Sequence, residues 1–302
     1  MNSVVLSTYN GEAFVREQLD SIRNQTVAPD EVLIVDDCST DSTPDIIRSY
    51  IEDNKLFNWK LLINSENKGW ADNFSESFLL ANGDLIFPCD QDDIWLENKI
   101  EIMSKTMQEN NGIDLLIGNY YTWIQNDRED YIKSISFSNR LEKMPFDNRV
   151  LYVNYPGCVY CFRKDFYTRI LPYRFPKYPH DSLLIRMAKL CDCCYFLDTP
   201  VIKWRRHTTN ATGKPIRTNK DMCSSIKYYL DCLELMKLFC HDTHLDDRLP
   251  ILDRCIIFFS TRYKAFSDSR LFGKDGLLSC IKYIDYYNRP LSFLGDVYRL
   301  FH

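Results

Sequence analysis

Residues 85–93 read Leu85-Ile86-Phe87-Pro88-Cys89-Asp90-Gln91-Asp92-Asp93, a short apolar run that ends in three carboxylates. A continuous apolar run of this length is the pattern of a strand buried on both faces. Working outward, the same pattern precedes it three times. Val4–Thr8 is broken by Asn10-Gly11, Val32-Leu33-Ile34-Val35 runs into Asp36-Asp37, and Lys60–Ile63 leads to Asn67-Lys68-Gly69. Between these runs apolar residues recur at helical spacing: Phe14, Val15, Leu19 and Ile22, then Ile46, Ile47, Tyr50 and Ile51. Ser42 or Thr43 is expected to cap the second of these helices, with Pro44 in its first turn, where the missing N–H costs little. A third helix is expected over Trp70–Leu80, with Phe74, Phe78 and Leu79 inward and Gly83 ending it. A fourth is expected over Trp95–Glu109, with Asp93 in place to cap it, and Leu115-Leu116-Ile117 is a fifth strand.

Strand and helix signals in strict alternation predict an α/β fold with a mostly parallel sheet covered by helices on both faces. Residues 119–150 read as loop, Val159–Phe162 and Val201–Trp204 as further strands, and Ser182–Leu190 as a helix between them. From Asp221 onward the pattern is helical only. Its stripes are Ile226, Tyr229, Leu230, Leu233 and Met236, then Ile256, Phe259, Tyr263 and Phe266, then Leu277, Ile281 and Ile284, with Pro290 before a last short helix. The expected division is a sheet domain over residues 1–215 and a helical region over 216–302.

Composition narrows the function. The chain has 302 residues, 45% hydrophobic and 26% charged, with net charge −5. That length suffices for a large core, and the charge argues against a general nucleic-acid binder. The charge is unevenly placed: residues 1–110 hold 8 Lys and Arg against 21 Asp and Glu, and the remainder holds 29 against 21. No apolar run reaches the roughly 18 residues of a membrane span. The first residues lack a basic segment ahead of an apolar one, so the expected location is the cytoplasm, with the inner membrane face as a further option. Twelve cysteines are then expected as reduced, buried thiols. The alternative, a zinc site from Cys158, Cys161, Cys191, Cys193 and Cys194, has no regular spacing.

In a parallel α/β sheet, ligands bind beyond the carboxyl ends of the strands. Those positions carry Thr8, Tyr9 and Asn10 after the first strand, Asp36 and Asp37 after the second, Asn67, Lys68 and Gly69 after the third, and Asp90, Asp92 and Asp93 after the fourth. Carboxylates gathered at strand ends suit a hard divalent cation, Mg²⁺ or Mn²⁺, shared with a substrate diphosphate. No glycine-rich phosphate loop follows any strand, which disfavours dinucleotide and P-loop readings.

These motifs resemble those of family 2 glycosyltransferases of the GT-A fold. The resemblance rests on Val5-Leu6-Ser7-Thr8-Tyr9-Asn10-Gly11, Val35-Asp36-Asp37-Cys38-Ser39-Thr40-Asp41, Asn67-Lys68-Gly69 and Asp90-Gln91-Asp92-Asp93-Ile94-Trp95. The last is similar to the rhamnosyltransferase-like branch, as are Pro156-Gly157-Cys158, His180-Asp181 and Arg205-Arg206-His207 with Asn210 and Gly213. The resemblance implies an inverting transfer from a UDP- or dTDP-sugar to a hydroxyl of a saccharide or lipid-linked acceptor, in bacterial cell-surface polysaccharide synthesis. It implies that Thr8, Tyr9, Asn10, Asn67, Lys68 and Gly69 line the nucleotide-sugar pocket. Asp36 or Asp37 would accept the N3–H of a uracil or thymine ring. Asp90 and Asp92 would hold the metal and the ribose–diphosphate, Asp92 the more direct ligand, with His207 at the metal or diphosphate. Asp181 would be the catalytic base, or alternatively a helix cap, and Trp95 and His180 would lie on the acceptor side. Where the branch has an aromatic pair after His-Asp, this chain has Ser182-Leu183. Other readings are a sugar nucleotidyltransferase and a non-catalytic nucleotide-sugar-binding subunit. The aromatic and basic residues of 279–302 fit either an anionic membrane surface or packing within the protein or on a second subunit.

Overall fold

The computed structural model describes residues 1–125, 130–133, 136–206, 218–267, 281–288 and 290–301. Two units divide them, one from Met1–Met144 and Asn154–Asn210, the other from Pro145–Val153 and Ala211–His302. The expected boundary at residue 215 lies outside the described residues, as do His207, Asn210, Gly213 and Leu277.

The first unit is a ten-stranded mixed sheet. Strands β1 (Asn2–Thr8), β2 (Glu31–Asp36), β3 (Trp59–Ile63) and β4 (Leu85–Asp90) are the four apolar runs of the sequence. They lie parallel in the order β3-β2-β1-β4. Helices α1 (Val15–Arg23), α2 (Thr43–Asp53) and α3 (Trp70–Leu80) connect them. Val4, Val5, Leu6, Ile34, Ile86 and Phe87 have no exposed surface, as strands covered on both faces require.

The rest departs from simple alternation. Trp95 opens no helix: Ile94–Trp95 is a two-residue strand, β5, and helix α4 begins only at Lys99 and runs to Glu109. The stretch expected as loop from residue 119 continues strand β6, Leu115–Gln125, which pairs with β7 (Asp130–Lys133). Strand β8 is Leu141–Lys143 and β9 is Tyr160–Arg163. Helices α5 (Lys164–Ile170) and α6 (His180–Leu190) precede β10, Cys194–Arg206. β9 is antiparallel to both β4 and β6, whereas β6 and β10 are parallel.

Local expectations differ in three further places. Ser42 sits at the cap of α2 without a side-chain bond; Asp41 supplies the carboxylate that accepts the Thr43 N–H at 3.0 Å. In α3, Phe74 and Phe78 are buried but Leu79 is 42% exposed, because the inner face continues through Ser75 and Ser77. Gly83 does not cap α3, which ends in an extended Ala81. Gly83 instead allows a close approach, since a Cβ there would lie 2.5 Å from Ser3 Oγ.

In the second unit α7 (Asn219–Thr243) packs on α8 (Leu249–Ser267). Thr218 and Asp221 form a reciprocal capping box that starts α7. Ile226, Leu233 and Met236 are buried, and so are Phe259 and Phe266, but Tyr263 faces solvent. Ile281 and Ile284 are exposed and form no buried stripe. A final helix, α9, spans Pro290–Phe301. Arg262 and Asp296 form a buried bidentate pair at 2.7 and 3.0 Å, joined by the Tyr287 hydroxyl at 2.9 Å. No helix among the described residues is long and apolar enough to cross a membrane.

Candidate active site

Parallel register sets Thr8 beside Asp36 and Ser7 beside Asp90, so β1, β2 and β4 end together on one rim. Asp36 is buried and accepts from Thr8 Oγ1 at 2.8 Å and from the Ser39 N–H and hydroxyl at 2.8 and 2.6 Å. Asp37, also buried, turns to the loop after β3. It accepts from Asn64 Nδ2 at 2.8 Å and from the backbone N–H groups of Lys68 and Gly69 at 2.9 and 2.8 Å. Gly69 has φ +83°, a conformation that glycine adopts without strain. Asn67 Oδ1 accepts the same Gly69 N–H at 3.0 Å. The ammonium of Lys68 is paired with Glu76 at 2.6 Å. Asn73 of α3 ties this wall to the sheet by donating to Ser7 Oγ and the Val35 carbonyl.

Tyr9 is exposed on the rim. Its backbone N–H and carbonyl pair with the two ends of the Gln91 amide at 2.8 and 3.0 Å. Gln91 received no role from the sequence, although it lies inside the acidic motif. A Cβ at position 11 would fall 2.2 Å from Gln91 Oε1, which accounts for Gly11. Asn10, at φ +47°, accepts the Thr40 N–H at 2.8 Å and so locks the loop after β2 to the loop after β1.

Beyond β4, Asp90, Asp93 and Cys158 bring carboxylate oxygens and a thiol within 4.8 Å of one another. Asp92, the expected direct metal ligand, is not part of that group. Its carbonyl accepts from Arg205 Nε at 2.8 Å. Asp93 is no helix cap: Oδ1 accepts the Arg205 backbone N–H at 3.0 Å, and Oδ2 is buried without a partner. Burial first, then the charges of Asp93 and Asp92, with Asp181 beyond them, push the Asp90 carboxyl well above the ordinary range. Burial and Asp92 raise Asp93 to about 7. Buried Lys99 donates to the Cys158 carbonyl at 2.6 Å and lies 3.4 Å from the Trp95 ring centre; burial lowers its pKa to about 8. Crowded carboxylates and an unpartnered buried oxygen fit a hard divalent cation, which would relieve their repulsion.

Helix α6 starts at His180, directly after Pro179, so Asp181 lies in its first turn and is not the cap. Asp181 is half-buried and accepts the Ser182 N–H at 2.6 Å. Two expected acceptor-side residues lie in the interior instead. Trp95 is 2% exposed, because β5 pairs with the middle of β10. His180 is 4% exposed, ringed by Phe74 at 4.4 Å, Phe78 at 5.3 Å and Trp70 at 6.3 Å. Neither ring nitrogen of His180 has a partner, and burial pushes its pKa down to about 4. The exposed aromatic on this wall is Trp70. Ser182 and Leu183, in the place of the expected aromatic pair, are both buried.

Gly157 abuts this helix start: a Cβ there would sit 2.4 Å from His180 Nε2 and 3.3 Å from Asp181 Cβ. The aromatic ring around His180 leaves it no room to yield. Gly157→Ala is therefore expected to destabilise the fold by about 1–3 kcal/mol, the usual cost of overpacking a core. Urea denaturation of both proteins checks this, and equal midpoints would show that the helix start gives way freely.

The mixed sheet with its flanking helices, and the carboxylates at its strand ends, place the chain in the GT-A class of fold. Residues 3–169 match the family model Glycosyl transferase family 2, and the chain belongs to that family. It is 35% identical over 118 residues to the UDP-Glc:alpha-D-GlcNAc-diphosphoundecaprenol beta-1,3-glucosyltransferase WfgD of Escherichia coli, covering 39% of this chain and 45% of WfgD. It is 29% identical over 235 residues to the dTDP-rhamnosyl transferase RfbG of Shigella flexneri, covering 70% of this chain and 74% of RfbG. The chain thus spans less than half of WfgD and about three quarters of RfbG. The crystal structure of S. aureus TarS 1-349 in complex with UDP-GlcNAc shares the fold, with TM-score 0.60 and 20% identity over 94% of this chain and 81% of that one.

Proposed function

We propose that this chain transfers a sugar from a UDP- or dTDP-sugar to a hydroxyl of a saccharide or lipid-linked acceptor, with inversion, in cell-surface polysaccharide synthesis. The observation that carries this reading is the gathering of Asp90 and Asp93 with Cys158 at the end of β4, with Asp181 against the neighbouring Gly157. Asp181 comes from a different part of the chain, yet its charge bears on Asp90. The donors in the names of WfgD and RfbG, UDP-Glc and dTDP-rhamnosyl, support a nucleoside-diphosphate sugar and leave both uracil and thymine bases open.

Thr8, Tyr9 and Asn10 would flank the nucleotide, with Asp36 or Asp37 accepting the base N3–H. Asn67, Lys68 and Gly69 complete the Asp37 side of that pocket, Lys68 and Gly69 through their backbone N–H groups. Asp90, Asp92 and Asp93 would hold a divalent cation, which when bound neutralises the charge developing on the leaving diphosphate. Asp181 would take the proton of the acceptor hydroxyl as it attacks the anomeric carbon from the opposite face. The transition state has oxocarbenium character, and a single displacement requires no covalent intermediate.

The test is nucleotide release from a panel of nucleotide sugars, with and without Mn²⁺. Slow release of UDP or dTDP that depends on Mn²⁺ is the expected outcome. Pyrophosphate exchange with a sugar phosphate would establish a nucleotidyltransferase instead, and donor binding with no turnover on any acceptor a binding subunit.

A further inference from the structure

We infer that Arg205 is the positioning residue that fixes the acidic turn after β4, and thereby sets how tightly the rim takes a divalent cation. The inference rests on the glycosyltransferase reading above. β10 is antiparallel to β5, with Ile202 opposite Trp95 and Lys203 opposite Ile94. That register carries the next residues of β10 past Asp93 and Asp92. The Arg205 backbone N–H donates to Asp93 Oδ1 at 3.0 Å, and its Nε donates to the Asp92 carbonyl at 2.8 Å. One terminal guanidinium nitrogen pairs with the Glu17 carboxylate on α1. The guanidinium lies 4.1 Å from the Trp123 ring centre and 5.2 Å from that of Phe14, and the side chain is 3% exposed.

Asp90 and Asp93 bring carboxylate oxygens within 4.8 Å of one another, and like charges that close repel. Such a turn opens unless something outside it holds it closed. Arg205 does so from β10, through its backbone N–H to Asp93 and its Nε to Asp92. Its planar fork reaches Asp92 and Glu17 together and stacks between aromatic rings, which a lysine ammonium cannot do. Glu17 offsets the guanidinium charge, so the clamp imposes geometry without placing a bare cation beside a cation site. In the sequence, Arg205 stood out only as part of the Arg205-Arg206-His207 string.

The test is Mn²⁺ binding to the full chain, read from the free-ion spin resonance signal, with circular dichroism to establish folding. Arg205→Lys is expected to weaken Mn²⁺ by about tenfold, the scale of one charge-assisted hydrogen bond. Glu17→Gln, a change at a half-exposed surface residue, is expected to weaken it by about threefold through loss of the outer anchor alone. A purely structural role would lower the melting temperature and leave the Mn²⁺ affinity of the folded protein unchanged. Affinities unchanged in both variants beside a wild type that titrates would overturn the inference. Where Arg205→Lys does not fold, an unchanged Glu17→Gln overturns it and a weakened one supports it. A wild type that takes up no Mn²⁺ overturns the metal reading, and this inference with it.

Discussion

Asp181→Asn is expected to lower sugar transfer by about 10²- to 10⁴-fold while UDP binding stays within about twofold, the range lost when a positioned general base is removed. The substitution is nearly isosteric. The side-chain oxygen of the asparagine would still accept the Ser182 N–H that Asp181 accepts at 2.6 Å, so the first turn of α6 keeps its local bond. What goes is a half-exposed carboxylate carried by α6 rather than by a strand of the sheet. Asp36 and Asp37 are each held by three protein donors, and neither is placed to take a proton from an acceptor. Steady-state rates with saturating donor, alongside UDP titration of the same preparation, decide the matter. Near-normal turnover would remove Asp181 from the base role. Lost UDP binding would instead place its contribution on the donor side.

The sequence made the acidic strand-end rim legible because its determinants are local. Val4, Val5, Leu6, Ile34 and Ile86 sit in runs of apolar neighbours, and such runs end where the chain reaches the strand terminus. Asp36, Asp37 and Asp90 could be placed on one edge without knowing a single contact. The placement of Trp95, His180 and Cys158 was not legible, because its determinants are long-range. Trp95 reads as a helix start until β10, more than a hundred residues later, pairs with it. His180 reads as a site residue until Phe74 and Phe78 of α3 close over it. Cys158 reads as a core thiol until its turn comes to rest against Asp90 and Asp93. Leu79 misleads differently: it lies on the helical stripe, but small Ser75 and Ser77 take the buried positions where α3 approaches its neighbours closely.

The enclosure of His180 carries the second large expectation, a loss of folding stability of about 3 kcal/mol as pH falls from 6.5 to 4. The unfolded chain binds a proton on this imidazole near pH 6.5, whereas the folded chain does so only near pH 4. Between those values the unfolded state holds more protons, so acid favours it, and stability rises as pH rises through the window. Above pH 6.5 the imidazole is neutral in both states and contributes no further slope. The cause is the aromatic ring formed by Phe74, Phe78 and Trp70, which offers neither nitrogen a partner and leaves a charged imidazole unsolvated. Carboxylates add slopes of their own; raised Asp93, for one, acts in the opposite direction. The measurement is therefore a difference: urea midpoints of the wild type and of His180→Asn, taken from pH 4 to pH 7. Asparagine lowers stability at every pH by burying an amide, but it does not titrate. The gap between the two proteins is expected to narrow steadily below pH 6.5. A gap that stays constant would mean that the folded protein solvates or pairs the charged His180 after all, by opening the ring that holds the start of α6.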